Sequence, residues 1–207
     1  MAVKKIIEIG HRVLKLNNQK VKNFKSLKLK KLVCDLTDTM KFVDLIGIAA
    51  PQIAENYQAF LTQPRNTAAR NIGKSDNLRV YINPKITCSS KETNLIYEGC
   101  GCVTKGSIFG PVLRPKEIEI EAYDLEGNKF SLRCDGILAR VIQHEYDHLQ
   151  GIEFLEKVTD NRKIISWQFY KKDIRNSKAQ KEASLITKIV YKKNIIVPPR
   201  MCFSHNS

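Results

Sequence analysis

Between positions 143 and 148 the chain reads Gln143-His144-Glu145-Tyr146-Asp147-His148. On a helix, His144 and His148 stand at i and i+4, on one face with β-carbons about 5–6 Å apart, a spacing that lets two imidazoles share one metal ion. Glu145, beside the first histidine, can reach a water that such an ion holds without itself being a ligand, the division of labour in helical HExxH hydrolase sites. The same spacing also occurs on solvated helix faces, and here the flanks decide. Ile137-Leu138-Ala139 and Val141-Ile142 lead in and Leu149 leads out, so the histidines ride on a helix half buried in a core. Two imidazoles and two acids buried without partners would be costly, and a metal supplies the partner. Catalytic sites of the zinc type use three protein ligands and keep a fourth position for water, so one ligand remains to be found. Cys100, in Glu98-Gly99-Cys100-Gly101-Cys102, is the first candidate and Cys102 its rival; on a strand both point to one side, and spacing does not choose between them. A thiolate with two imidazoles suits Fe(II), Zn(II), Co(II) or Ni(II).

The elements that must position these groups follow from periodicity. After an extended arm over residues 3–16, Leu29, Leu32, Val33, Leu36, Met40 and Val43 recur at three- and four-residue steps, predicting an amphipathic helix within 24–43 that carries Cys34 on its apolar face. A small, apolar stretch over 45–53 follows, suited to close approach by another backbone. Strands are predicted over 57–62, over 79–83 with a continuation to 90 after Pro84, and over 94–103, with a loop over 63–77. The period-two runs 118–123 and 130–132 flank Glu126-Gly127-Asn128 and predict a hairpin. Asp135-Gly136 opens the histidine helix and Gly151 closes it. A basic helix over 160–185 carrying Trp167 and a β-branched stretch over 188–199 complete the chain. The expected fold is α+β, antiparallel sheets around a central HExxH-bearing helix with an N-terminal helix and a C-terminal extension. Residues 1–158 are expected to form the catalytic domain, with the basic extension 159–207 packed on it.

Bulk properties bound the function. The 207 residues are 43% hydrophobic and 27% charged, an ordinary globular composition, and no apolar run approaches the roughly 18 residues of a membrane span. The first residues lack the apolar core and cleavage site of a signal peptide, so a cytoplasmic protein is expected. Six cysteines do not make a disulfide scaffold in a chain of this length, and a reduced chain is the simpler expectation. The net charge of +14 is concentrated at the ends, where residues 1–41 and 159–207 each hold 11 Lys/Arg against 3 acids. Basic ends favour polyanions, RNA and the ribosome among them, although no aromatic-plus-basic recognition motif accompanies them.

In three separated places the chain resembles the peptide deformylases. The family's HExDH is present as His144-Glu145-Tyr146-Asp147-His148, its EGCLS is matched in part by Glu98-Gly99-Cys100-Gly101-Cys102, and its GxGxAAxQ in part by Leu45-Ile46-Gly47-Ile48-Ala49-Ala50-Pro51-Gln52. The similarity runs from about residue 10 to residue 158. It implies Cys100, His144 and His148 as ligands of one divalent metal, Fe(II) in the cell, with Zn(II), Ni(II) or Co(II) in purified samples. It further implies Glu145 as acid and base, and Gln52 with the Gly101 amide as polarisers of a formyl oxygen. The substrates implied are N-formylmethionyl nascent peptides, deformylated with release of formate. Such a peptide would bind as an added strand at Ile46 and Gly47, with its methionine in an apolar pocket near Val141 and Ile137. Glu98, Asp147 and Arg114 are expected to support the ligands from behind. A monomer is expected. Four departures stand out: Leu45 for a glycine, Gly101 for a leucine, Cys102 for a serine, and Thr104-Lys105-Gly106 where bacterial members often carry proline. They leave room for two alternatives, a metallohydrolase of the same fold with altered acyl or peptide specificity, and an inactive ribosome- or RNA-associated module.

Overall fold

A computed structural model describes residues 3–193 of the chain. Helix α1 (Leu27–Phe42) begins where the Ser26 hydroxyl accepts a hydrogen bond from the Leu29 amide at 3.2 Å, satisfying one of the donors that a helix start leaves free. Leu29, Leu32, Val33, Leu36 and Met40 are buried as the predicted stripe requires, each large aliphatic side chain contributing about 1.5–3 kcal/mol on leaving water. Cys34 is exposed, contrary to its expected place on the apolar face, because it lies about 100° round the helix from Val33.

Strands β1 (Gly47–Ala49), β2 (Ala59–Thr62), β3 (Arg79–Ser89), β6 (Glu117–Tyr123), β7 (Lys129–Asp135) and β9 (Ile189–Lys193) form one antiparallel sheet in the order β1-β2-β3-β6-β7-β9. Side-chain alternation splits its first three strands between two cores. Ile48, Leu61 and Ile82 join the α1 stripe, while Ala49, Phe60 and Tyr81 face the other way, toward α2 (Gly136–Leu149). β3 bends at Asn83-Pro84: Asn83 is left-handed at φ 49° and the register slips between Ile82 and Lys85. The Asn83 amide group exchanges two 2.8 Å bonds with the Val21 backbone, tying the N-terminal segment to the sheet. β6 and β7 form the predicted hairpin, paired from Tyr123↔Lys129 to Glu117↔Asp135.

A second sheet, β4 (Thr93–Glu98), β5 (Ile108–Pro115) and β8 (Ile165–Ser166), lies apart from the first. Helix α2 packs on the first sheet and donates from Arg140 and Gln143 to β5 carbonyls of the second; its first residue must be glycine, because Gly136 has φ 57° and a β-carbon there would sit 2.1 Å from the Leu185 carbonyl oxygen.

The strand predicted over 94–103 ends at Glu98. Two glycines in three residues weaken a strand, and the chain turns there, the Val103 amide donating to the Cys100 carbonyl at 3.0 Å; Cys100 and Cys102 therefore sit in a turn. The single basic helix expected over 160–185 is broken into β8, α3 (Trp167–Phe169), a π turn over Tyr170–Ile174 and α4 (Lys178–Ser184). Tertiary contacts override helix propensity: Ile165 pairs with Phe109, the Trp167 amide donates to Ser107 at 2.8 Å, and the Tyr170 ring stacks on Phe109 at 3.9 Å. The β-branched stretch near the end supplies β9, which pairs with β7 up to Lys193; its expected continuation to 199 lies outside the described residues. Cys34, Cys100, Cys102 and Cys134 are free thiols. Among the described residues no helix is long and apolar enough to cross a membrane.

Candidate active site

Helix α2 brings His144 and His148 onto one face, their rings 5.2 Å apart, and the turn after β4 delivers Cys100 to the same point. One ligand atom from each of Cys100, His144 and His148 lies within 4.8 Å of the others, with Cys100 Sγ 3.3 Å from His148 Nε2. Cys102 is also buried but is not part of that group, so the rivalry left open by spacing is resolved by geometry.

The donors are matched to a cation. Burial, with His144 and Arg114 nearby, holds His148 well below the usual histidine pKa, leaving a neutral imidazole with a lone pair to give. The Cys102 hydrogen bond and burial push the Cys100 thiol well up; a divalent ion held there would stabilise the thiolate and reverse this. His148 Nδ1 and Glu145 Oε2 are buried without hydrogen-bond partners among the described residues. Sulfur with two imidazole nitrogens at this spacing fits one ion of the Fe(II)–Zn(II) class.

Behind His144 stands Glu98. It accepts from Arg114 Nε at 2.7 Å and Nη2 at 3.0 Å, from Arg140 Nη1 at 2.8 Å, and pairs with His144 Nδ1 at 2.9 Å. Burial by itself would raise this carboxyl, but Arg114, the His144 bond and Arg140 outweigh it and hold Glu98 well below the usual carboxylate range. An ionised carboxylate only accepts, so His144 Nδ1 carries the proton and Nε2 is left for the cluster. Arg114 also donates to Asp147 Oδ2 at 2.7 Å. Glu98, Asp147 and Arg114 thus form one network behind His144. Arg140, which sequence reasoning passed over, completes it and donates further to the Asn94 and Val112 carbonyls. Its signal was present: an arginine inside the apolar run 137–142 must find buried partners.

Glu145 is buried beside this cluster, and burial, then the Cys102 and Glu98 charges, push its pKa well up. Its side chain and that of Val141 pack on Gly47: a β-carbon on residue 47 would lie 2.6 Å from Glu145 Oε1 and 2.4 Å from Val141 Cγ2. Gln52, on the short turn Ala50–Ile53, is aimed by the bond its Oε1 accepts from the Ala49 amide at 2.6 Å, which leaves Nε2 facing Cys100 Sγ at 3.8 Å. Cys100, His144, Glu98, Arg140, Glu145, Val141, Gly47 and Gln52 line one cavity of about 330 Å³, together with Ile46, Gly101, Ile137, Phe109 and Trp167; the last two had not been expected there.

β1 is the edge of its sheet, so one side of it is open to added strands. Because Gln63 N–H donates to Ile46 O at 2.7 Å, Ile46 belongs to a hydrogen-bonded pair with β2, and the alternate residue Gly47 turns its N–H and C=O to the open edge. Of the two residues expected to offer backbone to a peptide, Gly47 has both groups so directed.

The family model described as Polypeptide deformylase matches residues 3–163. Peptide deformylase 2 of Clostridium perfringens is 38% identical over 165 residues, covering 80% of this chain and 99% of the relative. The chloroplastic peptide deformylase 1B of Solanum lycopersicum is 36% identical over 156 residues, covering 75% of this chain; the chain spans 53% of that longer relative. Among solved structures, the Met-Ala-Ser-bound class I type b peptide deformylase of Acinetobacter baumannii superposes with a TM-score of 0.70 at 30% identity, over 76% of this chain and 99% of that one. The Thermotoga maritima peptide deformylase gives 0.68 at 28% identity, over 77% and 100%.

Proposed function

Because the chain belongs to the polypeptide deformylase family, we propose that it hydrolyses the formyl group from the N-terminal methionine of nascent polypeptides, releasing formate. The observation that carries this reading is the convergence of Cys100, His144 and His148 within 4.8 Å beside the buried carboxyl of Glu145, whose Oε2 has no hydrogen-bond partner among the described residues. In this reading Cys100 Sγ and the Nε2 atoms of His144 and His148 hold one divalent ion, Fe(II) in the cell. When bound, the ion supplies Lewis-acid polarisation of the formyl carbonyl and acidifies a water at neutral pH.

The chain's own groups supply the rest. Glu145 takes the proton of the attacking water and returns it to the methionine nitrogen as the C–N bond breaks. Its raised pKa suits both halves of that task. Gln52 Nε2 and the Gly101 N–H donate to the oxygen on which negative charge develops. Ile46, Ile137 and Val141 form the apolar wall for the methionine side chain, and Gly47 offers its N–H and C=O to the peptide backbone as to an added strand. Glu98, Arg114 and Asp147 hold His144 in the right tautomer and orientation. We further read residues 1–158 as the catalytic unit and 159–207 as an extension packed on it, the protein as a cytoplasmic monomer, and the basic termini as its contact to the ribosome.

The test is formate release from formyl-Met-Ala-Ser by protein purified anaerobically with Fe(II). Glu145→Gln leaves all three ligands in place, so metal content should match wild type while turnover falls by about 10²–10⁴-fold. Turnover persisting in that variant would remove Glu145 as the base.

A further inference from the structure

We propose that Leu45 selects the third residue of the substrate peptide, favouring an apolar side chain there; the inference rests on the deformylase reading above. The two departures at positions 45 and 101 meet in space. A β-carbon on Gly101 would lie 3.3 Å from Leu45 Cδ1 and 3.3 Å from Ile6 Cδ1. Leu45 therefore packs where a side chain at 101 would reach. Leu45 and Gly101 both line the cavity, and Leu45 is only half-buried. Its backbone is already engaged, the amide donating to Met40 O at 2.9 Å and the carbonyl accepting from Arg65 Nη2 at 3.0 Å. What it offers a ligand is apolar surface on an anchored backbone.

The register follows from the open edge of β1. A peptide whose formyl end lies by Glu145 passes Gly47 first. It cannot continue toward Ala49, whose N–H is taken by Gln52 Oε1 at 2.6 Å, so it runs toward Leu45, antiparallel to β1. Leu45 precedes Gly47 by two residues, across the bend at Ile46 where β1 begins. Residues one and three of an extended peptide share a face, and Leu45 lines the same cavity as Val141 and Ile137, so with the methionine side chain in the pocket the third side chain reaches Leu45.

The experiment compares kcat/KM for formyl-Met-Ala-Leu and formyl-Met-Ala-Ser, with formyl-Met-Ala as reference, on Fe(II) protein. Wild type should prefer the leucine peptide by about fivefold or more, the size expected for partial burial of one aliphatic side chain. Leu45→Gly should bring the ratio close to one, and adding Gly101→Leu should restore a preference by rebuilding the wall from the other side. If Leu45→Gly does not fold, Leu45→Ala carries the same comparison with less backbone freedom. Equal rates on both tripeptides in wild type, or the same ratio before and after Leu45 is truncated, would overturn this inference alone. No formate from any of the three peptides would overturn the deformylase reading and this inference with it.

Discussion

Glu98 lies at the end of β4 yet governs a histidine on α2. It stays ionised in a buried place because Arg114 and Arg140 both donate to it, and its charge fixes which nitrogen of His144 is free. The two cysteines beside it differ in kind. Only Cys100 shares the donor point with the histidines. Cys100→Ser should therefore lose bound metal, with affinity down by more than about tenfold, a lower bound set by what the loss of outer-layer partners alone costs at metal sites. Cys102→Ser should keep its metal. Metal per chain after gel filtration, measured by atomic absorption, checks both, and loss confined to the Cys102 variant would reverse the assignment. His144, His148 and Glu145 were legible because one helical repeat sets their relation. Arg140 was not, because its partners lie 28 to 46 residues away.

Among the elements, the contact that matters most is β1 against α2. It closes at Gly47, where Val141 and Glu145 occupy the space a side chain would need. Gly47→Ala should force the strand and helix apart. Overpacking of this kind costs about 1–3 kcal/mol, which a denaturant titration would register. Formate release should fall further than stability does, since Glu145 is one of the displaced groups. A variant of unchanged midpoint and activity would mean that the two elements have slack between them. The period-two and period-3.6 patterns revealed most of these elements. They failed over 160–185, where Phe109 stacks on Tyr170 and pairs with Ile165, contacts from β5 that no local pattern contains.

For the molecule as a whole, two buried groups set the alkaline limit. Burial, and the Cys134 charge after it, push the Tyr81 hydroxyl well above its ordinary pKa, and burial does the same to the Cys134 thiol. A group raised in the folded state binds its proton more tightly there than in the unfolded chain. Its contribution is complete below the unfolded value and is lost as pH climbs above it. Stability should hold to about pH 8.5 and then fall, first through Cys134 and then through Tyr81 above pH of about 10, by about 1.4 kcal/mol per pH unit for each group. Urea midpoints from pH 8 to 11 measure the slope, and Tyr81→Phe should flatten its upper part. An unchanged slope in that variant would mean that Tyr81 titrates normally.

Residue order along the chain was enough to determine the helix that carries His144 and His148, the α+β class, the hairpin and the nomination of a metal hydrolase, because each depends on spacings within one element, where backbone geometry dictates which side chains are neighbours. Spacing left Cys100 and Cys102 level and only the resemblance favoured Cys100; the tertiary structure brings Cys100 to the histidines, and it alone decided that two arginines hold Glu98 and that Leu45 packs over Gly101. Each of those relations joins segments brought together by packing, and packing distances are set by the summed shape of the packed cores, a quantity that no local spacing contains.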